Sequence, residues 1–274
     1  MSSKTLDTLV DDIYGVFETG KPTPEDTKVL GEDVARVVSE QFAERRPYLR
    51  LSNFGKSCRR QLWYSINTPE LGEKLSGATR LKFLIGHITE AVVLWLAGLA
   101  GHSVTRKQEE VIVNGVKGHI DGLIDGELVD VKTASPPAFK KFEAGLTEET
   151  DGFGYLNQLG AYATALGART KSFLAVEKVL GKLHLDRHDE PRTLAHYEAV
   201  ADDVRQVLAK NSPPDRGYED EKYGESGNRA LGLACSYCEF RERCWPGLQV
   251  YHYARGPVFF TKIVREPKPR TSKE

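Results

Sequence analysis

No charge of one sign dominates this chain: 38 Lys and Arg stand against 39 Asp and Glu across 274 residues, for a net charge of −1. That balance excludes a globally basic polyanion binder, so any such contact must come from local patches. Long apolar runs are missing as well. The longest, from Ala91 to Ala100, falls short of the roughly 20 residues of a membrane span and belongs to an amphipathic helix. Met1 to Thr5 lacks the apolar core of a secretion signal, so a cytoplasmic protein is expected. Internal repeats are absent. Gly55, Lys56 and Ser57 look like the end of a phosphate-binding loop, but position 50 is Arg50 and no complete G-x4-G-K-S/T exists. A helicase motor within this chain is thereby excluded. Cysteine is scarce, four residues in all, and inside a cell these are poor disulfide candidates and good metal ligands. The length suffices for one large domain or two small ones with ample core.

What is present is concentrated between Gly118 and Lys132. The stretch reads as two extended segments joined near Asp125 and Gly126, because Asp-Gly between alternating apolar runs is a strong hairpin signal. Side chains at i and i+2 of a strand share a face, so Asp130 and Lys132 point the same way and Asp121 can meet them across the turn. Val129 and Val131 alternate with Asp130, which gives one apolar face and one face carrying Asp130 and Lys132. Two acids and an amine on one surface suit metal-dependent phosphodiester cleavage. Carboxylate oxygens hold a hard divalent cation, which polarises the phosphate and lowers the pKa of a bound water. The lysine orients or deprotonates that water, or neutralises developing charge. The plain alternative is a solvated hairpin with ordinary surface charges.

Around this hairpin, apolar periodicity predicts helices over 4–18 and 24–44, the latter with Pro24 near its start. A further helix opens at 51–53 and contains Cys58, Leu62 and Trp63. A strong amphipathic helix spans 79–100, ended by Gly98 and Gly101, and 103–113 alternate as a strand. Helices are expected over 138–144, 155–166 and 193–210, and strands over 171–178 and 182–187. Residues 215–234 read as a Gly-rich polar loop, and the end beyond the cysteines as a mobile basic tail. This order predicts an α/β core with a central mixed sheet.

Cys235, Cys238 and Cys244 form C-x2-C-x5-C, with Cys58 far upstream. Thiolates bind iron–sulfur clusters or zinc, and three cysteines so close together argue against unrelated buried residues. No thioredoxin-like βαβ surrounds the C-x2-C pair. Zinc ribbons use two C-x2-C knuckles, whereas Cys58 has only Ser57 and Arg59 beside it, so a 4Fe–4S cluster is favoured over zinc. Such a cluster would staple the two ends of the domain together.

Asp121, Asp130 and Lys132, in that order, resemble the PD-(D/E)xK nuclease superfamily, with Asp130 where glutamate is commoner. One cysteine before these motifs and three after them resembles the RecB-type iron–sulfur nucleases, among them CRISPR-associated exonucleases, the AddB nuclease domain and phage stand-alone relatives. The resemblance implies a restriction-endonuclease-like α/β core, its central mixed sheet flanked by helices, with an iron–sulfur-stapled N-/C-terminal region. The expected parts are an N-terminal helical region over 1–50, a nuclease domain over 51–245 in which the cluster joins Cys58 to 235–244, and a basic tail over 246–274.

The implied activity is that of a Mg²⁺- or Mn²⁺-dependent DNA exonuclease, with Asp121, Asp130 and the backbone carbonyl of Val131 as metal ligands. The family's G-x3-H helix corresponds to Gly86 through Glu90, with Glu90 in the ligand position and His87 one turn away. Lys132 would position the attacking water. Gln158 and Tyr162 match the family's Q-x3-Y and would orient Lys132 and the DNA strand, with Tyr155 on a neighbouring part of the same helix. His119 falls one strand position off the face and receives no role. Lys56, Arg59 and Arg60 would contact phosphates, giving salt-sensitive affinity. Arg45 with Arg46, Lys140 with Lys141, and 262–273 are the other basic patches. The partners implied are DNA, as single strands or duplex ends, and a separate helicase or recombination protein, in DNA end processing, recombination, repair or phage DNA metabolism. Two rivals remain: a catalytically vestigial DNA-binding or assembly module, and an iron–sulfur redox protein.

Overall fold

The computed structural model describes residues 4–43, 47–189, 192–254 and 256–268. Its helices are α1 (Leu9–Thr19), α2 (Pro24–Phe42), α3 (Arg59–Asn67), α4 (Gly77–Leu99), α5 (Pro136–Glu143), α6 (Tyr155–Leu166), α7 (Leu194–Leu208), α8 (Leu233–Ser236) and α9 (Arg241–Cys244). Its strands are β1 (Val104–Thr105), β2 (Glu110–Val113), β3 (Val116–His119), β4 (Gly122–Ile124), β5 (Glu127–Ala134), β6 (Lys171–Glu177), β7 (Leu183–Arg187), β8 (Glu221–Tyr223), β9 (Asn228–Ala230), β10 (Gln249–Tyr253) and β11 (Gly256–Lys262). The chain divides into two compact units, Met1–Gly55 with Ser76–Asp202, and Lys56–Leu75 with Asp203–Glu274.

The first unit is built on a five-stranded sheet in the order β1-β4-β5-β6-β7. β5 and β6 run parallel and their other neighbours antiparallel, so the sheet is mixed. Helices flank it on both sides. On one face Leu9 and Ile13 of α1 and Val93, Leu94 and Ala97 of α4 pack against Val129 and Val131 of β5. On the other, Phe139 and Phe142 of α5, Leu159 of α6 and Tyr197 of α7 pack with Leu128, Ala134 and the β2–β3 hairpin. This central strand, covered on both faces, is buried from Leu128 to Val131, and Asp130 is only 1% exposed. The expected polar face of β5 is thus an interior one. Alternation alone reports which side chains share a face, not whether that face meets water.

The β4–β5 turn has Asp125 at φ 53° and Gly126 at φ 87°. Positive φ at both central residues is the tight hairpin geometry that matches strand twist. Asp125 also anchors the turn, accepting from the Ser103 N–H at 2.9 Å and facing His102 Nδ1 at 2.6 Å.

Several sequence-based expectations are corrected. α4 is a 23-residue helix long and apolar enough to cross a membrane by length and composition. Its second half packs into the core through Ala91, Val93, Leu94, Leu96 and Ala97, whereas Leu81, Phe83 and Ile85 of its first half are exposed. The helix expected from 51 is a 3-10 turn at Leu51–Asn53 followed by a separate α3 capped by Cys58. The single strand expected over 103–113 is broken into β1 and β2 by a loop at 106–109.

In the second unit, Trp63 and Tyr64 of α3 pack with Cys238 and Phe240. Beside them β10-β11-β9-β8 form an antiparallel sheet. The loop expected over 215–234 therefore contains β8, β9 and the start of α8, whose few residues are too short to display a period. The expected mobile tail is a strand hairpin over 249–262, anchored by the buried Phe259 and Phe260. Residues 269–274 of that tail lie outside the described residues.

Gly55 lies backbone to backbone against Gly154, which caps α6, and a Cβ on Gly55 would stand 2.2 Å from the Gly154 Cα. Gly55→Ala is expected to destabilise the protein by about 1–3 kcal/mol through overpacking against immovable main chain. Gly15→Ala in α1, where nothing lies within 4 Å, should instead stabilise by roughly 0.5–1 kcal/mol. Urea unfolding of the two variants checks the contrast, and a neutral Gly55→Ala would refute the close contact.

Candidate active site

Three elements of the first unit converge at the end of β4. Asp121 immediately precedes that strand, and its Oδ2 accepts from the Val131 N–H at 2.7 Å. The register pairs Gly122 with Val129, so β4 ends before it reaches Val131, and the Asp121 side chain caps the edge of β5 instead. The N–H and C=O of one residue leave an extended strand on the same edge, so the Val131 carbonyl faces this edge too. Asp130 turns Oδ2 toward Lys132 Nζ at 2.5 Å and accepts from Gln158 Nε2 on Oδ1 at 3.3 Å. Gln158 also donates to the Tyr162 hydroxyl at 3.2 Å, one turn along α6. Lys132 Nζ lies 4.7 Å from the centre of the Tyr155 ring. Glu90 approaches from α4, where it accepts from Gln108 Nε2 at 2.7 Å. α4 crosses β5 closely here, with the Gly86 Cβ position 3.4 Å from Thr133 Oγ1.

Of these groups Asp121, Glu90, Gln158 and Tyr162, together with His87, line a cleft of about 1060 Å³ that is walled on one side by Arg36 and neighbours on α2. His87 is the more exposed of the two α4 candidates, with Nδ1 3.8 Å from Glu90 Oε2. His119, given no role from sequence, lines the same cleft, as do Tyr48 and Arg50.

The electrostatics are those of charges crowded away from water. Burial, then the charges of Asp130 and Glu90, push the Asp121 carboxyl well above the usual carboxylate range. Burial raises Asp130 as well, although Lys132 opposes that rise. Burial would lower the Lys132 ammonium, but Asp130 and Asp121 together hold it above its ordinary value. Lys132 is therefore a proton-bearing donor in this arrangement rather than a base. Burial likewise raises the Tyr162 hydroxyl, which stays neutral.

A model of the PD-(D/E)XK nuclease superfamily matches residues 12–245. The chain belongs to that superfamily. No curated protein matches the chain significantly. Among solved structures it is similar to SSO0001, at 15% identity and a TM-score of 0.40, over 78% of this chain and 93% of that one. It is also similar to an alkaline exonuclease (LHK-Exo) from Laribacter hongkongensis, at 14% identity and a TM-score of 0.38, over 62% of this chain and 91% of that one. The same enzyme in complex with dAMP gives the same identity and score. Likenesses this distant decide neither substrate nor role. Superfamily membership places the chain among nucleases.

A divalent cation is what the superfamily implies, and the donor chemistry fits one. Asp121, Asp130 and Glu90 supply hard carboxylate oxygens, and their mutual repulsion marks a place where positive charge is wanted. Each carboxylate also has a protein partner, Val131, Lys132 and Gln108 respectively. Among the described residues no group of three or more His, Cys, Asp or Glu side chains is arranged to hold a metal ion.

That statement covers the cysteines of the superfamily member's second unit too. Cys58, Cys235, Cys238 and Cys244 all belong to this unit. Burial, followed by the neighbouring Cys244, Cys58 and Cys235, pushes the Cys238 thiol up to about 12. Burial and then Cys58 raise Cys235. The Sγ atoms of Cys58 and Cys238 accept backbone N–H groups of Gln61 and Phe240, each at 3.4 Å.

The basic residues near Cys58 are engaged within their own unit. Arg59 pairs with Asp203 at 3.2 Å. Arg60 donates to the Pro214 carbonyl at 2.6 Å and to the Tyr64 hydroxyl at 3.3 Å. Arg45 and Arg46 lie outside the described residues.

Sequence reasoning places Tyr155 beside the Gln158 face, three residues before Gln158, without giving it a role, and misses Gln108. Gln108 carried no signal, since it sits in an irregular loop.

The raised Asp121 carboxyl has a thermodynamic consequence. A carboxyl that binds its proton more tightly in the folded chain contributes stability that is complete below its unfolded pKa and lost as pH rises through the raised folded value. Ionisation of Asp121 therefore weighs against the metal-free fold at neutral pH. Asp121→Asn keeps an acceptor for the Val131 N–H and is expected to stabilise the metal-free protein by about 1 kcal/mol at neutral pH. It should also flatten the fall in stability from acid to neutral pH. Urea unfolding across that range measures both, and an Asn variant no more stable than wild type would refute the crowding.

Proposed function

We propose that this nuclease is a RecB-type, metal-dependent deoxyribonuclease acting from DNA ends in the cytoplasm, in recombination, repair or phage DNA metabolism. The observation that carries this reading is the buried Lys132 ammonium against Asp130, held charged by Asp130 and Asp121 together, with Asp121 and Glu90 lining a cleft. An Mg²⁺ or Mn²⁺ held by Asp121, Asp130, the Val131 carbonyl and Glu90, with His87 behind it, would supply charge neutralisation at the phosphate and acidify water. Lys132, as a donor, orients the attacking water and faces the negative charge that builds on the phosphate oxygens. Gln158 fixes the Asp130 carboxylate through one amide hydrogen and is itself placed by Tyr162. The Tyr155 ring restrains the Lys132 ammonium from its other side. Lys56 and Arg59, with Arg60 more fully engaged by the protein, supply phosphate contacts and hence salt-sensitive binding.

Lys132→Ala is expected to lower the rate by about 10²–10³-fold, the usual cost of removing one transition-state donor. The assay is Mn²⁺-dependent digestion of 5′- and 3′-labelled linear DNA beside a covalently closed circle. Loss of linear DNA with survival of the circle supports an exonuclease. Unchanged digestion by Lys132→Ala, or no digestion by wild type with either metal, would leave the vestigial binding module in its place.

For the second unit we propose that Cys58, Cys235, Cys238 and Cys244 hold a 4Fe–4S cluster with a structural role. Support comes from the four thiols falling in one compact unit, with the neighbouring cysteines adding to the raised pKa of Cys235 and of Cys238. Protein purified without oxygen should absorb broadly near about 400 nm and contain about four iron and four sulfide per chain. Cys238→Ser should lose both the colour and the stability of that unit. A colourless protein carrying zinc would replace the cluster with a zinc site.

A further inference from the structure

The loop at 106–109 between β1 and β2 is short, and two of its residues are held in an uncommon conformation: Arg106 at φ 54° and Gln108 at φ 56°. Left-handed backbone is disfavoured at a residue with a full side chain, and it persists only where surrounding contacts impose it. Those contacts are present. Arg106 pairs with Glu109, Nε to Oε2 at 2.5 Å. The Glu109 carbonyl accepts from the Ile120 N–H at 3.1 Å, tying the loop to the residue before Asp121. Lys107 reaches Asp33 on α2 at 2.6 Å. The product of this constraint is one contact, the Gln108 side-chain amide on Glu90 Oε1 at 2.7 Å, with both residues on the wall of the cleft.

We propose that Gln108 is a positioning residue for the metal centre: its amide holds Glu90 facing Asp121 and Asp130 and so sets the affinity for the divalent cation. The inference rests on the reading of Glu90 as a ligand and goes beyond it by naming what orients that ligand. An amide suits the task. It fixes one carboxylate oxygen with a neutral donor and leaves the full negative charge for the cation, whereas a lysine or arginine there would compete with the metal. Glu90 is half-buried on α4, and its other oxygen has only the more distant His87 Nδ1, at 3.8 Å, beside it. A strained loop that delivers one neutral donor to one carboxylate is consistent with selection for position rather than stability.

The test is Mn²⁺ titration of the DNA-free protein, read by the electron paramagnetic resonance signal of free Mn²⁺. The proteins compared are wild type, Gln108→Gly, Glu90→Gln and the double variant. Glycine accepts the left-handed conformation at no steric cost, so Gln108→Gly removes the amide without disturbing the loop, and its unfolding midpoint should not fall. Its Mn²⁺ affinity should drop by about tenfold, the lower range for loss of a residue that orients a ligand. The double variant should bind no more weakly than Glu90→Gln alone, because the amide acts only through that carboxylate. If Glu90→Gln weakens binding while Gln108→Gly stays within about twofold of wild type, the positioning role is refuted and the ligand survives. Full additivity in the double variant refutes it as well. If Glu90→Gln itself leaves binding unchanged, the ligand reading falls and takes the inference with it.

Discussion

Two carboxylates and one ammonium share the dry end of β5, and the rest of the first unit is arranged around that conflict. Asp121 and Asp130 repel each other, Glu90 adds to the repulsion, and burial raises the cost of charge on Asp121 and Asp130. Lys132 offsets only part of it. A protein selected for stability alone would have filled this position with apolar side chains, as it does one residue away on either side with Val129 and Val131. Unbalanced negative charge beside a cleft is instead the arrangement a divalent cation would relieve.

The surrounding structure is rigid where this conflict needs support. α6 is seated by glycine-to-glycine contact at Gly55 and Gly154, which fixes the origin of the helix that carries Tyr155, Gln158 and Tyr162. β3 approaches the same helix closely, since a Cβ on Gly118 would stand 2.7 Å from the Tyr162 ring. On the opposite face, α4 packs its apolar second half into the core and leaves Glu90 at the rim. Strain and unfavourable charge thus lie at the cleft, while the cores on both faces of the sheet hold the geometry in place.

Much of this was legible in the chain. The Asp125–Gly126 turn was visible because few residues tolerate positive φ, and the spacing of Asp130 and Lys132 follows from the two-residue repeat of a strand. The i,i+4 pair Gln158 and Tyr162 was visible for the equivalent helical reason. The short strands β8 to β11 were not, because segments of three to seven residues show too little alternation to be separated from loop. The reach of Gln108 to Glu90 was equally hidden, since it depends on a loop conformation that its own residues disfavour.

The sequence by itself determined the chemistry on offer: which side chains are acidic, cationic or thiol, and which share a strand face or helix face, because those follow from local backbone geometry. Only the tertiary structure decided that the Asp130 face is buried and that Lys132 keeps its proton between two acids. It alone turned Asp121 onto the β5 backbone and directed Gln108 to Glu90. Burial and charge coupling are properties of what surrounds a residue in space, and segments distant in sequence supply those surroundings.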